Sequence, residues 1–222
     1  MMKVIPYGRQ HIDAKDIRAV AKVLTSDWLT QGPCVRTFEE ALAAYTGARF
    51  CVVISNGTAA LHAALWAMGV GKGDEVVTSP ITFAASANAA VYVGARPKFV
   101  DINAQTYHLD LDQLEKNLKQ SSWVKKVKVV IPVHYMGTVV DMPFLRRICA
   151  PKGIRILEDA AHALGAAYTY KGKTFKVGSA AHSDAVMLSF HPIKQMTTGE
   201  GGAVLTNDKG LYEKLLRLRH HG

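Results

Sequence analysis

Residues 127–157, VKVVIPVHYMGTVVDMPFLRRICAPKGIRIL, decide the fold class. Val127–Val133 is a short run rich in valine and isoleucine, so it reads as a strand. Met142–Cys149 repeats apolar residues at helical spacing, and Ile154–Leu157 is a second short apolar run. Strand, helix and strand in so short a stretch form the unit from which parallel sheets are built. Upstream, the same alternation predicts a strand at Phe50–Ile54, a helix carrying Leu61, Leu65 and Met68, and a strand at Glu75–Thr78. It continues with a helix over Ala84–Val93, a strand at Lys98–Val100 and a helical stripe of Leu111, Leu114 and Leu118. Downstream stand apolar runs at Ala185–Phe190 and Ala203–Thr206, then a closing helix with Leu211, Leu215 and Leu218.

The sequence therefore predicts an α/β fold with a mostly parallel sheet and helices on both faces. One strand breaks the rule. Between Phe190 and Ala203 there is no helical pattern to carry a parallel crossover, so Ala203–Thr206 is expected to run antiparallel. Lys171-Gly172-Lys173, inside Ala166–Lys176, predicts a small hairpin. In front of the sheet, Asp13 is a candidate N-cap for a helix with Ile17, Val20, Ala21 and Leu24. A second helix carries Phe38, Leu42 and Tyr45 and stops at Gly47. No repeat or linker interrupts the chain, so residues 1–222 are expected to form one domain, with residues from 1 to about 48 as its helical N-terminal segment.

Composition narrows the class. Of 222 residues, 49% are hydrophobic and 20% charged, enough for one substantial core and unlike a disordered chain. The net charge of +9 suits an anionic partner. The basic residues are scattered, however, and the densest run, Lys125, Lys126 and Lys128, lacks interleaved aromatics, so a nucleic-acid partner is not expected. Cys34, Cys51 and Cys149 are far apart and odd in number, which argues against a disulfide framework or zinc site and fits a reducing compartment. The opening residues show no signal peptide, and no apolar run is long enough for a membrane span. A cytoplasmic protein without membrane or nucleic-acid partners is expected. The nine histidines show no metal spacing. Gly172-Lys173-Thr174 lacks the upstream glycine of a phosphate loop, and Gly69-Val70-Gly71-Lys72-Gly73 follows a helix, where a dinucleotide motif does not belong.

Four stretches carry possible chemistry. Lys194 stands in Ser189-Phe190-His191-Pro192-Ile193-Lys194, beyond a strand, where ligands of α/β sheets sit. Desolvation there would free its amine as a nucleophile; alone, it reads as an ordinary surface lysine. Asp159, in Glu158-Asp159-Ala160-Ala161-His162, follows Ile154–Leu157. It reads equally as a helix cap or as a carboxylate facing a protonated ring nitrogen. Ser55-Asn56-Gly57-Thr58-Ala59-Ala60 is a strand-to-helix turn whose amides could meet a phosphate, or merely a cap. Phe83, in Pro80-Ile81-Thr82-Phe83, could stack on a planar ring, although a core aromatic explains it as well.

Taken together and in this order, these stretches, with Thr198-Gly199-Glu200-Gly201-Gly202-Ala203, resemble the DegT/DnrJ/EryC1/StrS sugar-nucleotide aminotransferases, of the aspartate-aminotransferase fold class. The resemblance runs from Tyr7 to His221. It implies a type I pyridoxal-phosphate (PLP) transferase fold, PLP as cofactor, and Lys194 as its Schiff-base lysine and proton shuttle. Asp159 would pair with the pyridine nitrogen, Phe83 stack on the ring, and His162 lie near the ring hydroxyl. Gly57, Thr58, Ala59 and Ser189 would hold the phosphate. The implied reaction moves an amino group from glutamate to a keto carbon, C4 in particular, of a nucleotide-linked deoxyhexose. The implied setting is a homodimer engaged in cell-surface polysaccharide or glycan synthesis. His191-Pro192-Ile193-Lys194 and the glycines after it most resemble the branch serving pseudaminic acid biosynthesis, although Gln195 replaces a proline common there. Relatives are longer and carry a smaller C-terminal domain, so residues 1–222 are expected to be the large domain alone, with that small domain absent. Two alternatives remain: a PLP-binding protein without turnover, and a related sugar dehydratase, against which Lys194 counts because those relatives carry histidine there.

Overall fold

The computed structural model describes Pro6 and residues 8–221. Met1–Ile5, read above as free of a signal peptide, Tyr7 at the head of the resemblance, and Gly222 lie outside the described residues. The order is α1 (Ala14–Leu24), α2 (Pro33–Thr46), β1 (Phe50–Ile54), α3 (Gly57–Ala67), β2 (Glu75–Thr78), α4 (Ala85–Tyr92) and β3 (Arg96–Phe99). There follow α5 (Leu111–Leu118), α6 (Ser121–Val124), β4 (Val127–Ile131), α7 (Met142–Cys149), β5 (Arg155–Asp159), β6 (Ala167–Tyr170) and β7 (Lys173–Lys176). The series closes with β8 (Ala185–Ser189), β9 (Gly202–Thr206) and α8 (Lys209–Arg219).

Local chemistry sets the helix ends. The Asp13 carboxylate accepts from the Lys15 and Asp16 amides while Asp16 accepts from the Asp13 amide, a capping box. The side chains of Asn56, Asp110, Asp141 and Asp208 each accept first-turn amides of α3, α5, α7 and α8 without the reciprocal bond. α2 begins on Pro33 and stops at Gly47, whose φ of 86° suits a residue without a Cβ.

Seven strands form one sheet in the order β1-β9-β8-β5-β4-β2-β3, and β6-β7 is a separate hairpin. β8, β5, β4, β2 and β3 are parallel. β9 runs antiparallel to both its neighbours, β1 and β8, as the missing crossover helix predicted. Alternate residues face opposite layers. Val52, Val76, Val129, Leu157, Met187 and Val204 pack under α3, α4 and α8. On the other face, Val77, Val130 and Ile156 meet α5 and α7, while Val186, Leu188, Ala203 and Leu205 meet α2.

The structure corrects several expectations. β5 continues through Glu158 and Asp159, and a turn, not a helix, follows it. Asp159 therefore caps no helix. β3 lies at Arg96–Phe99 rather than Lys98–Val100, and α6 was not foreseen. The stripe of α1 faces solvent: Ile17, Val20 and Leu24 are 62%, 61% and 65% exposed.

Register brings Ile54, Gly202 and Ser189 to one level across β1, β9 and β8. Here β9 passes the start of α3 so closely that a Cβ on Gly202 would stand 2.5 Å from the Asn56 carbonyl and 2.7 Å from the Gly57 nitrogen. Both obstacles are backbone. Gly202→Ala is expected to cost about 1–3 kcal/mol or more. A comparison of urea midpoints with Gly71→Ala tests this, because a Cβ on Gly71 meets only the Val93 carbonyl, at 3.9 Å. Equal midpoints for the two variants would refute the close approach.

Candidate active site

A cleft of about 950 Å³ opens at the carboxyl ends of β2, β4, β5 and β8, beside the start of α3. All eight residues singled out in the sequence line it: Gly57, Thr58 and Ala59; Phe83; Asp159 and His162; Ser189 and Lys194. Phe83 is 75% exposed, which rules out its reading as a core aromatic.

One wall is the first turn of α3. Asn56 accepts the Ala59 amide at 2.8 Å. This leaves the Gly57 and Thr58 amides as first-turn donors without an intrahelical partner, at the positive end of the helix dipole. Ser189 lies against Gly57, where a Cβ would stand 3.0 Å from the serine Cβ and 3.2 Å from its Oγ. The cradle thus consists of two amides and a hydroxyl. The Ala59 amide, expected to contribute, is already occupied by the cap.

The floor is the end of β5. Asp159 is buried, and Ser86 donates to its Oδ2 at 2.6 Å while the Ala161 amide donates to Oδ1 at 3.2 Å. Glu158, beside it, serves a separate buried network. It takes hydrogen bonds from Ser183 and from His134 Nε2, the latter at 2.7 Å. The Val140 amide donates to His134 Nδ1 at 3.3 Å, which places the imidazole proton on Nε2. The His134 amide in turn donates to the Asp159 carbonyl at 3.0 Å. His134 is therefore structural.

Lys194 sits on a closed loop. The Phe190 amide bonds to the Gly201 carbonyl at 2.8 Å, and the Thr198 amide to the Phe190 carbonyl at 3.0 Å. Phe190 anchors the loop by burying itself against Phe38. Gln195 reaches the His162 carbonyl, tying this loop to the turn after β5. Partial burial lowers the pKa of the Lys194 amine, and the Asp159 charge opposes that shift. His162 is also lowered, first by burial and then by Lys194, so it is neutral near pH 7 and offers one donor and one acceptor.

The arrangement combines a nucleophilic amine, a buried carboxylate, an exposed aromatic face and an anion cradle around one cleft. The sequence reading gave no role to Ser86, Ser183 or Glu158; the four-residue spacing from Thr82 to Ser86, leading into the first turn of α4, was the available signal. Among the described residues, no group of His, Cys, Asp and Glu could hold a metal ion, and no helix is long and apolar enough to cross a membrane.

Comparison with known proteins fits this geometry. The model of the DegT/DnrJ/EryC1/StrS aminotransferase family matches residues 10–222. The chain belongs to that family. A relative from Campylobacter jejuni, UDP-4-amino-4,6-dideoxy-N-acetyl-beta-L-altrosamine transaminase, is 42% identical over 219 residues, covering 99% of this chain and 56% of the relative. Helicobacter pylori PseC, an aminotransferase involved in pseudaminic acid biosynthesis, superposes with a TM-score of 0.88 at 35% identity, covering 99% of this chain and 57% of PseC. The PLP form of the Streptococcus pneumoniae putative sugar aminotransferase Spr1654 gives a TM-score of 0.87 at 33% identity, covering 98% of this chain and 58% of Spr1654. The chain spans about half the length of the curated relatives it matches. Its fold is that of the type I PLP-dependent transferases, and the cofactor of the family is PLP.

Proposed function

We propose that this chain is the PLP-binding large domain of a sugar-nucleotide aminotransferase. The observation that carries the reading is the convergence of Lys194, Asp159, Phe83 and the Gly57–Thr58–Ser189 cradle on one cleft. When bound, PLP supplies an electron sink that lets an amino group be taken from one carbon and delivered to another. Lys194 holds the cofactor covalently and moves a proton between it and the substrate carbon. Asp159 keeps a positive charge on the ring nitrogen, and Phe83 covers one face of the ring. Neutral His162 would lie near the ring hydroxyl. The Gly57 and Thr58 amides and the Ser189 hydroxyl hold the phosphate, with Ala59 lending its place in the first helical turn rather than its amide.

The donor in this reading is glutamate. The acceptor is a nucleotide-linked keto-deoxyhexose aminated at C4, in the service of cell-surface glycan synthesis; the likeness to the C. jejuni and H. pylori transaminases supports the pseudaminic acid branch. The net charge of +9 suits a diphosphate-bearing substrate. A homodimer in the cytoplasm is the setting proposed.

Borohydride reduction after addition of PLP, followed by peptide mass mapping, tests the assignment. A reduced adduct on Lys194 is expected, and an adduct confined to other lysines would overturn it. The lowered pKa of Lys194 adds a pH signature. Attachment proceeds through the free amine, so its rate should rise with pH and level off below the ordinary lysine range of about 10.4. Stopped-flow absorbance across pH measures this, and a plateau reached only in the ordinary range would refute a desolvated amine.

A further inference from the structure

Asp159 carries the charge that the proposed function needs, yet nothing in that reading explains what orients this buried carboxylate. Among the described residues its one side-chain partner is Ser86, in the first turn of α4, which is fully buried and 2.6 Å from Oδ2. A carboxylate is an acceptor only, so the Ser86 proton points at Asp159. The Ser86 oxygen is then free to accept, and Thr82 Oγ1 lies 2.8 Å from it. The order is fixed by proton count: Thr82 donates to Ser86, and Ser86 donates to Asp159. Such a chain polarises each member toward the charge at its end. Thr82 also lines the cleft, next to Phe83. The neighbouring carboxylate cannot substitute, because Glu158 is engaged by His134 and Ser183.

We infer that Ser86 is a positioning residue for the amino-transfer chemistry, and that the Thr82–Ser86 hydroxyl pair holds Asp159 as an oriented carboxylate against the cofactor's ring nitrogen. This rests on the role of Asp159 proposed above. Removal of the Ser86 hydroxyl withdraws a hydrogen bond from the charged form of Asp159. The proton shared between carboxylate and ring nitrogen then moves toward the carboxylate, and the preference for the ring-protonated form falls by roughly 10- to 100-fold.

The test uses the full chain loaded with PLP labelled with nitrogen-15 in the ring, whose NMR shift reports protonation directly. Borohydride trapping on a parallel sample reports attachment to Lys194. Ser86→Ala is expected to keep the trapped adduct while its nitrogen signal moves toward the unprotonated position. Thr82→Val is expected to shift the signal the same way by less, and Ser86→Thr to restore it. A 1-deaza cofactor, which lacks the ring nitrogen, should make Ser86→Ala and wild type alike in glutamate-driven conversion. An unchanged nitrogen signal in a trapped Ser86→Ala protein overturns the inference and leaves the proposed function standing. Absence of a Lys194 adduct in the wild-type chain overturns the proposed function itself. If Ser86→Ala loses its far-UV circular dichroism, Thr82→Val decides alone, and a wild-type signal there overturns the inference.

Discussion

Lys194→Ala is expected to abolish covalent capture of PLP and to slow amino transfer by about 10⁴-fold or more. The substitution removes two functions from one atom. In the proposed reading the amine is the nucleophile that would hold the cofactor, and without it no borohydride-stable adduct could form at this position. It is also the group placed to move the proton, and positioned acid–base catalysis alone contributes about 10²–10⁴-fold. The loop itself should survive. Its closure rests on backbone bonds between Phe190, Thr198 and Gly201, and on the burial of Phe190, none of which involves the lysine side chain. Circular dichroism and the urea midpoint should therefore match wild type while the absorbance band of the bound cofactor is lost. A Lys194→Ala protein that still traps PLP, or still converts glutamate at wild-type rate, would dismiss Lys194 from the chemistry.

The second large effect is expected at Asp159→Asn. The amide keeps the shape and can still accept from Ser86, so the packing around β5 is preserved. What disappears is the negative charge that the proposed function places opposite the ring nitrogen. Loss of one partner from a buried ion pair costs roughly 3–5 kcal/mol, which corresponds to roughly 10²–10³-fold or somewhat more in rate if the pair is needed in the transition state. Trapping at Lys194 should persist, because attachment does not require the ring charge. Single-turnover conversion with glutamate measures the loss, and a rate within tenfold of wild type would remove Asp159 from its assigned role.

The layered fold was legible because most strands here are short, apolar and fenced by Gly, Pro or Asp, and because the helices between them keep clean apolar spacing. The direction of β9 was legible from an absence, the lack of any helix between Phe190 and Ala203. The end of β5 was not. Glu158 and Asp159 look like the start of a loop, yet both are buried strand residues, made tolerable by His134, Ser183 and Ser86. Those partners are distant in sequence, so periodicity carries no trace of them. The occupied Ala59 amide was hidden for a different reason. Asn56 reads as a cap in any case, but only geometry shows which amide it fills. The stripe of α1 reads as core-facing by its spacing, and nothing in the sequence reveals that it faces solvent in the folded chain.

The placement of β9 between β1 and β8 has a consequence for how the molecule is made. β1 is synthesised well before its one sheet neighbour among the described residues, Gly202–Thr206, which lies far downstream in the chain. At roughly 5–20 residues per second, β1 waits on the order of ten seconds to half a minute for that partner to be synthesised. Until then its edge stays unpaired, and α3 has no β9 backbone to close against. The parallel strands β2 to β5 can assemble as they appear, whereas the anion cradle cannot exist before β9 has been translated. A nascent chain arrested before Gly202 would therefore hold most of its sheet and none of its cofactor pocket's final shape, and the unpaired β1 would be the segment most in need of a chaperone.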